Sequence, residues 1–261
     1  MKRTLITPDT GLYPSEFHSL LTGADVYDSS CSPEARVIYI DRENGYFLKS
    51  APKCTLEKEA ALTRFFHEKG LAADVLAYVS HERDWLLTRR VPGEDLTHTE
   101  YLASPERLCD LLAERLRILH ETDAEGCPVP DRTADYLATA EKNFKAGMCD
   151  TSLFPDGKGY SSADEAWREI CKNGCHLQSD VLIHGDYCLP NVICDNWSFS
   201  GFIDLGNAGI GDRHIDLFWG AWTLRFNLKT DRYTSRFLDA YGRDTVNTDI
   251  LRTVAAAEVF G

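Results

Sequence analysis

The stretch HGDYCLPNVICDNWSFSGFIDLGNAG, from His184 to Gly209, determines how the rest of the chain is interpreted. Its two apolar runs, VICD and SGFID, are joined by the turn residues DNWS and predict a small antiparallel hairpin. Three oxygen-bearing side chains accompany it: Asp186, then Asn191 five residues later, and Asp204 thirteen residues beyond that. Because a short hairpin returns to its starting point, we expect the three side chains to meet at one end of this ribbon.

Groups of this kind suit phosphoryl transfer. Mg²⁺ prefers hard oxygen ligands, which a carboxylate and an amide supply. Phosphoryl transfer also needs a carboxylate that orients the attacking hydroxyl group and a lysine that contacts the nucleotide phosphates. The sequence therefore favours a metal-dependent phosphotransferase over a binding module, provided that a suitable lysine exists elsewhere in the chain.

The N-terminal part reads as strands around one helix. Two apolar runs flank Asn44 and Gly45 in RVIYIDRENGYFLKS and predict a tight hairpin with Lys49 near its exit. The following segment, TLEKEAALTRFFHEKG, predicts a helix that is capped by Thr55 and ends at Gly70. The runs VLAYVS and DWLLTRRV predict two further strands.

Glu59 falls on the apolar side of this helix, in the arc formed by Leu56, Leu62 and Phe66. A carboxylate that faces the core needs a partner, and Lys49 is the candidate. Taken alone, the two residues leave three interpretations open. They form a structural salt bridge, or Glu59 escapes to water, or the pair serves a phosphate site.

The rest of the chain reads as mainly helical. In PERLCDLLAERLRILHE, five leucines recur at helical spacing, with charged residues on the opposite face. Later segments, WGAWTLRF and DILRTVAAAEVF, also predict helices. We expect an α+β protein with two domains: residues 1–91, with a small antiparallel sheet and one helix, and residues 92–261, which are mainly helical.

The formal net charge of −13 is unevenly distributed. Residues 1–91 hold 12 Lys and Arg against 13 Asp and Glu, whereas residues 92–261 hold 16 against 28. An acidic surface repels phosphate backbones and attracts cations, so nucleic acid is not expected as a partner. A polycationic small molecule fits this charge, although solubility alone also explains many acidic proteins.

Nine cysteines, an odd number without a secretion signal, predict reduced thiols rather than disulfides. Their spacing gives little support to a zinc site. No run approaches the eighteen apolar residues of a membrane span. We therefore expect a cytoplasmic protein without a membrane partner, present as a monomer or weak dimer.

The motifs H-G-D-x(4)-N and I-D-L-G resemble those of the aminoglycoside phosphotransferases, whose fold is like that of protein kinases. HGDYCLPNV and SGFIDLGNAGIGDR are most similar to the kanamycin and neomycin 3'-phosphotransferases. WLLTRRVPGEDL looks like their hinge, CSPEARV like their phosphate loop, and LRILHETDAEGCPV like their long helix and its exit. The resemblance runs from about Ser30 to Phe260 and implies a two-lobed, protein-kinase-like fold. Residues 1–91 would then be the nucleotide-binding lobe, and residues 92–261 would carry the catalytic loop and an acidic substrate cleft.

The resemblance also implies roles for individual residues. Asp186 would be the catalytic base, and Asn191 and Asp204 would bind Mg²⁺. Lys49 would hold the α and β phosphates of ATP, with GTP as an alternative donor, and Glu59 would position it. Ser32 would contact a phosphate, and the backbone of Arg89 and Val91 would contact the adenine edge. Glu258 and Phe260 would contact the drug.

Three departures from the family pattern concern substrate range. Asn207 replaces an arginine after I-D-L-G, Trp222 stands where an arginine precedes acidic residues, and Gly261 follows the C-terminal aromatic residue. The expected activity is transfer of the γ-phosphoryl group to an aminoglycoside hydroxyl, the 3'-hydroxyl by resemblance, which confers resistance. The alternatives are a kinase of another small hydroxylated metabolite and a non-catalytic nucleotide-binding homologue.

Overall fold

The computed structural model describes residues 3–31, 35–150 and 159–261. The strands in these ranges are β1 (Thr4–Ile6), β2 (Asp25–Asp28), β3 (Arg36–Asp41), β4 (Tyr46–Pro52), β5 (Val75–Ser80), β6 (Arg83–Arg89), β7 (Glu94–Asp95), β8 (Val181–Ile183), β9 (Val192–Asp195), β10 (Ser198–Phe202) and β11 (Gly209–Gly211). The α-helices there are α1 (His18–Leu21), α2 (Glu57–Glu68), α3 (Thr99–Leu102), α4 (Pro105–Glu121), α5 (Arg132–Lys145), α6 (Ala163–Asn173), α7 (Arg213–Leu228), α8 (Thr234–Gly242) and α9 (Thr248–Glu258).

The chain folds into two compact units. The first unit contains residues 1–95 and 190–206, and the second contains residues 96–189 and 207–261. The small β ribbon of residues 190–206 thus belongs with the N-terminal residues. The functional division at residue 91 stays a prediction.

The first unit is built on an antiparallel sheet of six strands in the order β1-β2-β3-β4-β6-β5. A second sheet of three strands, in the order β10-β9-β7, completes this unit. Alternate residues of the large sheet, among them Ile38, Ile40 and Leu48, pack into its core with Phe17 and Trp85. The predicted antiparallel strands are therefore confirmed.

The β3–β4 hairpin is present, but its turn differs from the prediction. The turn spans residues 42–45, and its positive φ angles lie at Glu43 and Gly45 rather than at Asn44 and Gly45. Lys49 lies in the middle of β4, opposite Leu86 of β6, and not at the strand exit. The reason is that β4 continues to Pro52, which still pairs with β6.

Helix α2 confirms the predicted helix, although its N-terminal cap comes from another part of the chain. The prediction that Thr55 caps this helix is wrong, because its hydroxyl group donates to the carbonyl of Pro52 instead. The carboxylate of Asp84 on β6 accepts from the backbone N–H groups of Thr55 and Leu56, each at 2.9 Å. The side-chain hydroxyl of Ser80 also donates to this carboxylate.

The second unit is mainly helical. Helix α4 has the predicted bounds, with proline in its first turn, and its five leucines are buried: Leu108, Leu111, Leu112, Leu116 and Leu119. The predicted late helices are present as α7 and α9. Helix α4 packs on α8 and α7, and α9 packs on α6 and α7. The two-stranded sheet β11-β8 lies in this unit. The predicted α+β class, with a small antiparallel part and a helical part, is confirmed.

Within the described ranges, no helix is both long enough and apolar enough to cross a membrane.

Asp84 gives a prediction for stability. Burial acts to raise the pKa of this carboxyl group, but hydrogen bonds from Leu56, Ser80 and Cys54 outweigh it and lower the pKa to about 2. We expect Asp84→Ala to lower the free energy of unfolding by about 2 kcal/mol at neutral pH, because the N–H groups of Thr55 and Leu56, the second of them buried, lose their acceptor. Urea unfolding measures this change.

The same substitution has a pH signature. The folded pKa lies below the value of about 3.9 for an unfolded aspartate, so the contribution is present above about pH 4 and is lost as the pH falls toward about 2. The stability difference between the wild type and Asp84→Ala should shrink over that range. Asp25→Ala, at an exposed carboxylate on β2, is the control. Equal loss from both variants at neutral pH would contradict the capping role.

Candidate active site

The ammonium group of Lys49 lies between two carboxylates in the first unit. Its Nζ donates to Oε1 and Oε2 of Glu59 at 2.9 and 2.8 Å, and to Oδ1 of Asp204 at 2.8 Å. The strand β4 supplies the lysine, α2 supplies the glutamate, and the segment after β10 supplies the aspartate. The predicted contact between Lys49 and Glu59 is therefore present.

Burial and charge define the state of this cluster. Glu59 is only 8% exposed, as its place on the apolar side of α2 predicts. Burial disfavours the charge of Lys49, but the attraction of Glu59 and Asp204 outweighs it and raises the pKa of the lysine. The ammonium is thus charged at neutral pH, and the two carboxylates hold it in place.

Asn191 and Asp204 lie at the same end of the β9–β10 hairpin. The turn residues Asn196 and Trp197 both have positive φ, as a tight hairpin turn requires. Asn191 lies in a short 3₁₀ turn directly before β9 and is 8% exposed. The backbone N–H of Ile203 donates to the carbonyl of Asn191 at 3.1 Å. The predicted return of Asp204 to the neighbourhood of Asn191 is therefore present.

Asp204 has a left-handed backbone with φ of 59°. A non-glycine residue seldom adopts this conformation, and such residues concentrate at functional sites. Its side chain is 53% exposed, in contrast to that of Glu59. An accessible carboxylate oxygen and a neighbouring amide residue are a donor set that Mg²⁺ accepts.

A cavity of about 740 Å³ in the first unit is bordered by this cluster. Lys49, Glu59, Asn191 and Asp204 contribute to its wall, and the apolar part of the wall includes Phe47, Ala51, Leu86, Val91 and Phe202. A mostly apolar wall with a few convergent polar groups is typical of a ligand site.

Of the three other residues predicted to contact a nucleotide, the structure describes two. Arg89 and Val91 both line the cavity. The N–H of Arg89 donates to the carbonyl of Asp74 at 3.0 Å, so only its carbonyl could take part in the predicted backbone contact. Ser32 lies outside the described residues.

Asp186 lies in the second unit, on the loop that follows β8. Gly185 has φ of +78°, and a Cβ atom there would lie 2.0 Å from the carbonyl oxygen of Asn207. Only glycine fits at this point of close backbone approach. His184 is buried, and its Nδ1 accepts from the N–H of Asp186 at 3.3 Å. His184 thus contacts the loop through this bond.

Asp216 on α7 fixes the same loop, and the sequence interpretation missed it. Its carboxylate is fully buried and accepts from the N–H groups of His184 and Gly185, both at 2.7 Å. It also contacts Nε2 of His120 at 3.2 Å, while Nδ1 of His120 meets the hydroxyl of Tyr241 at 2.7 Å. An acidic residue inside the apolar run RHIDLFWGA was the available signal.

Glu258 and Phe260, the predicted drug contacts, both lie in the second unit with buried side chains. Oε1 of Glu258 accepts from the hydroxyl of Tyr136 at 2.9 Å and from Nε1 of Trp219 at 3.0 Å. Phe260 is 2% exposed and packs against Phe144 and Trp167. Their contact with a substrate stays a prediction.

All nine cysteines are free thiols, as the sequence predicts. In the residues that the structure describes, no group of three or more His, Cys, Asp or Glu side chains is arranged to hold a metal ion. Asn191 and Asp204 are a smaller pair of donors, one amide and one carboxylate.

Comparison with known proteins agrees with this geometry. A sequence model described as the phosphotransferase enzyme family matches residues 33–253. A probable aminoglycoside 3'-phosphotransferase of Lactococcus lactis subsp. lactis (strain IL1403) is 49% identical over 251 residues, which cover 95% of each chain. An aminoglycoside 3'-phosphotransferase of Niallia circulans is 31% identical over 210 residues, covering 79% of this chain and 80% of its own.

Solved structures show the same fold. An aminoglycoside-3'-phosphotransferase of type VIII superimposes with a TM-score of 0.74 at 24% identity, covering 96% of each chain. The phosphotransferase APH(3'')-Id of Streptomyces rimosus, in complex with ADP and streptomycin, superimposes with a TM-score of 0.71 at 21% identity, covering 86% of this chain and 90% of its own. The predicted fold class and family resemblance are confirmed.

The buried ion pair yields a second prediction for stability. Lys49→Met leaves the carboxylate of Glu59 buried without its partner, so we expect the free energy of unfolding to fall by about 3 kcal/mol. The double variant Lys49→Met, Glu59→Gln removes the uncompensated charge and should regain part of that loss. Urea unfolding of both variants gives the difference.

Lys53→Met, at an exposed lysine beyond β4, is the matched control. The midpoint of its urea unfolding curve should equal that of the wild type. A Lys49→Met protein as stable as this control would show that the pair contributes nothing to folding.

Asp216 yields a prediction for the loop. An amide presents one oxygen and one NH₂ group, so Asp216→Asn cannot accept from both His184 and Gly185 through separate oxygens. We expect the amide hydrogens of residues 184 and 185 to exchange at least about tenfold faster than in the wild type, because one buried N–H loses its acceptor.

Hydrogen exchange followed by mass spectrometry of the peptide that contains β8 measures this rate. Asp244→Asn, at an exposed carboxylate of the same unit, is the control and should leave that peptide unchanged. Wild-type exchange in Asp216→Asn would mean that the loop is held by other contacts.

Proposed function

This chain belongs to the phosphotransferase enzyme family, and from that membership we propose that it transfers the γ-phosphoryl group of ATP to a hydroxyl group of an aminoglycoside. The observation that carries the proposal is the ammonium of Lys49, held by Glu59 and Asp204 at the wall of a ligand-sized cavity. The acceptor is inferred from relatives named aminoglycoside 3'-phosphotransferases, so the 3'-hydroxyl is the proposed position.

The cavity of the first unit is the proposed nucleotide site. Its apolar wall, which includes Phe47 and Leu86, suits a purine base, and the carbonyl of Arg89 and the backbone of Val91 are the proposed contacts to the adenine edge. Lys49 would hold the α and β phosphates. Each of its three N–H bonds already has a carboxylate acceptor. A phosphate oxygen would therefore replace the most exposed of these acceptors, the carboxylate of Asp204.

Asn191 and Asp204 would hold Mg²⁺, since they offer an amide and a carboxylate oxygen at one end of the same hairpin. A bound divalent cation supplies positive charge that offsets the negative charge of the phosphates. Lys49 donates to one carboxylate oxygen of Asp204, whose side chain is 53% exposed and whose backbone is left-handed.

Asp186 is the proposed catalytic base. The acceptor oxygen attacks the γ phosphorus, its proton passes to the carboxylate of Asp186, and the bond from the γ phosphorus to the β-γ bridging oxygen breaks to release ADP. Little covalent chemistry is required of the protein, so positioning dominates the rate enhancement. The contacts of the loop to Asp216 and His184 serve that positioning.

The charge of the chain suits this acceptor. Residues 92–261 carry 28 acidic against 16 basic residues. Aminoglycosides are polycations, and an acidic surface raises their local concentration and orients them. The same arrangement disfavours a nucleic acid substrate. Phosphorylation of the drug would confer resistance on the host.

A substrate panel tests the proposal. Purified protein with ATP and Mg²⁺ should add one phosphoryl group to kanamycin and neomycin, detected by mass spectrometry, with the modified hydroxyl mapped by NMR. Faster turnover of choline, homoserine or a simple sugar would favour the alternative of a metabolite kinase. No turnover of any acceptor would favour a non-catalytic nucleotide-binding protein.

The role of Asp186 gives the matching prediction. Asp186→Ala should lower kcat for kanamycin by at least about 100-fold, because general-base assistance is lost, while the affinity for ATP stays close to the wild-type value. The variant should also fail to raise kanamycin tolerance in a susceptible host. Asp180→Ala, which removes a surface carboxylate of the same unit, is the control and should remain active. Full activity in Asp186→Ala would exclude it as the base.

A further inference from the structure

Three aromatic rings form a row along α7. Trp219 meets Trp222 edge to face with ring centroids 5.4 Å apart, and Trp222 stacks on Phe226 at 4.9 Å with an interplanar angle of 10°. Residues three and four apart share one side of a helix, which explains this row. Phe226 is 54% exposed, and the two tryptophans are partly exposed. The row therefore faces solvent over part of its length.

The same helix holds the loop of Asp186 at two points. Asp216 accepts from the backbone at the start of the loop, and the hydroxyl of Thr223 accepts from the N–H of Leu189 at its end, at 3.2 Å. Trp219 lies between these residues in sequence, three residues after Asp216 and four before Thr223, and so shares their helix side. The aromatic row thus begins at the level of the loop that carries Asp186.

An acidic group accompanies this end of the row. Nε1 of Trp219 donates to Oε1 of Glu258 at 3.0 Å. The carboxyl group of Glu258 is buried, and burial raises its pKa to about 7. The row thus starts beside one buried acidic group, in the more acidic part of the chain.

Packing alone does not account for the row. Phe226 leaves more than half of its surface in water, whereas aromatic residues of the same unit such as Phe237 and Phe260 are fully buried. An exposed aromatic patch bordered by polar residues is typical of a binding surface. The ammonium of Lys229 lies 4.2 Å from the ring centroid of Phe226, so a ring of this row already accommodates a cation.

We propose that Trp219 and Trp222 form the platform on which a ring of the acceptor aminoglycoside stacks, with Phe226 supporting Trp222 from behind. This inference rests on the proposed function and assigns part of its acceptor site. The C–H face of a saturated ring packs on an indole, and ammonium substituents are attracted to the aromatic faces and to the net negative charge of residues 92–261. Trp222 is the residue through which the platform can be tested, because Trp219 is also bonded to Glu258.

Steady-state kinetics of Trp222→Leu, Trp222→Phe and Trp197→Leu test the platform. Trp222→Leu should raise KM for kanamycin about 5–30-fold, as expected for the loss of one stacking and cation–π contact. Its kcat and its KM for ATP should stay within about twofold of the wild type. Trp222→Phe keeps an aromatic face and should stay within about threefold in KM for kanamycin. Trp197→Leu removes a tryptophan from the β9–β10 turn and should behave as the wild type does in the kanamycin assay.

Tryptophan fluorescence gives an independent readout that needs no turnover. Titration with kanamycin should change the emission of the wild type and of Trp197→Leu, and the change should be clearly smaller in Trp222→Phe. Thermal unfolding monitors the fold of each variant, and the Phe variant decides the outcome if the Leu variant fails to fold.

The failures of the two proposals are distinguishable. A wild-type protein that phosphorylates kanamycin, together with an unchanged KM in Trp222→Leu and an undiminished emission change in Trp222→Phe, would overturn the platform and leave the proposed function intact. A wild-type protein that phosphorylates no aminoglycoside would overturn the proposed function itself.

Discussion

The pairing of Lys49 with Glu59 is the interaction on which the first unit depends. A charged ammonium and a carboxylate are both withdrawn from water here, and each is tolerable only because the other is in contact with it. The pair ties the centre of β4 to the apolar side of α2. It also fixes the position of the third partner, Asp204, so that one ammonium organises the sheet, the helix and the ribbon of this unit.

The second unit also contains a buried carboxylate, but its partners are of a different kind. Asp216 is a fully buried carboxylate that is bonded to two backbone N–H groups and to His120. Backbone donors cannot move independently of the chain, so a carboxylate that binds two of them holds the loop more rigidly than a flexible ion pair would. Buried charge thus positions a functional segment in both units.

Much of this was accessible from sequence, and the two main failures share one cause, which is that the partner residue is distant along the chain. Helix α4, the β9–β10 hairpin and the burial of Glu59 follow from spacing and turn residues within a few positions of each other. Asp84, which accepts from the N–H at the start of α2, lies 28 residues from Leu56 along the chain. No local sequence pattern could have identified it as the acceptor in place of Thr55. The partners of Asp216 likewise become visible only when β8 and α7 are in contact. The shifted positive φ in the β3–β4 turn is a smaller error, because a four-residue turn places it at Glu43 instead of Asn44.

Gly185 and Trp222 stand at opposite extremes of mutational tolerance within the second unit. Any side chain at position 185 would collide with the carbonyl of Asn207, so an evolving lineage cannot vary this residue without rebuilding the loop. The rim of α7 around Trp222 is partly open to solvent and can be exchanged at little cost to folding. Selection for new substrates would therefore change the exposed aromatic residues of α7 and leave the loop that carries Asp186 unchanged.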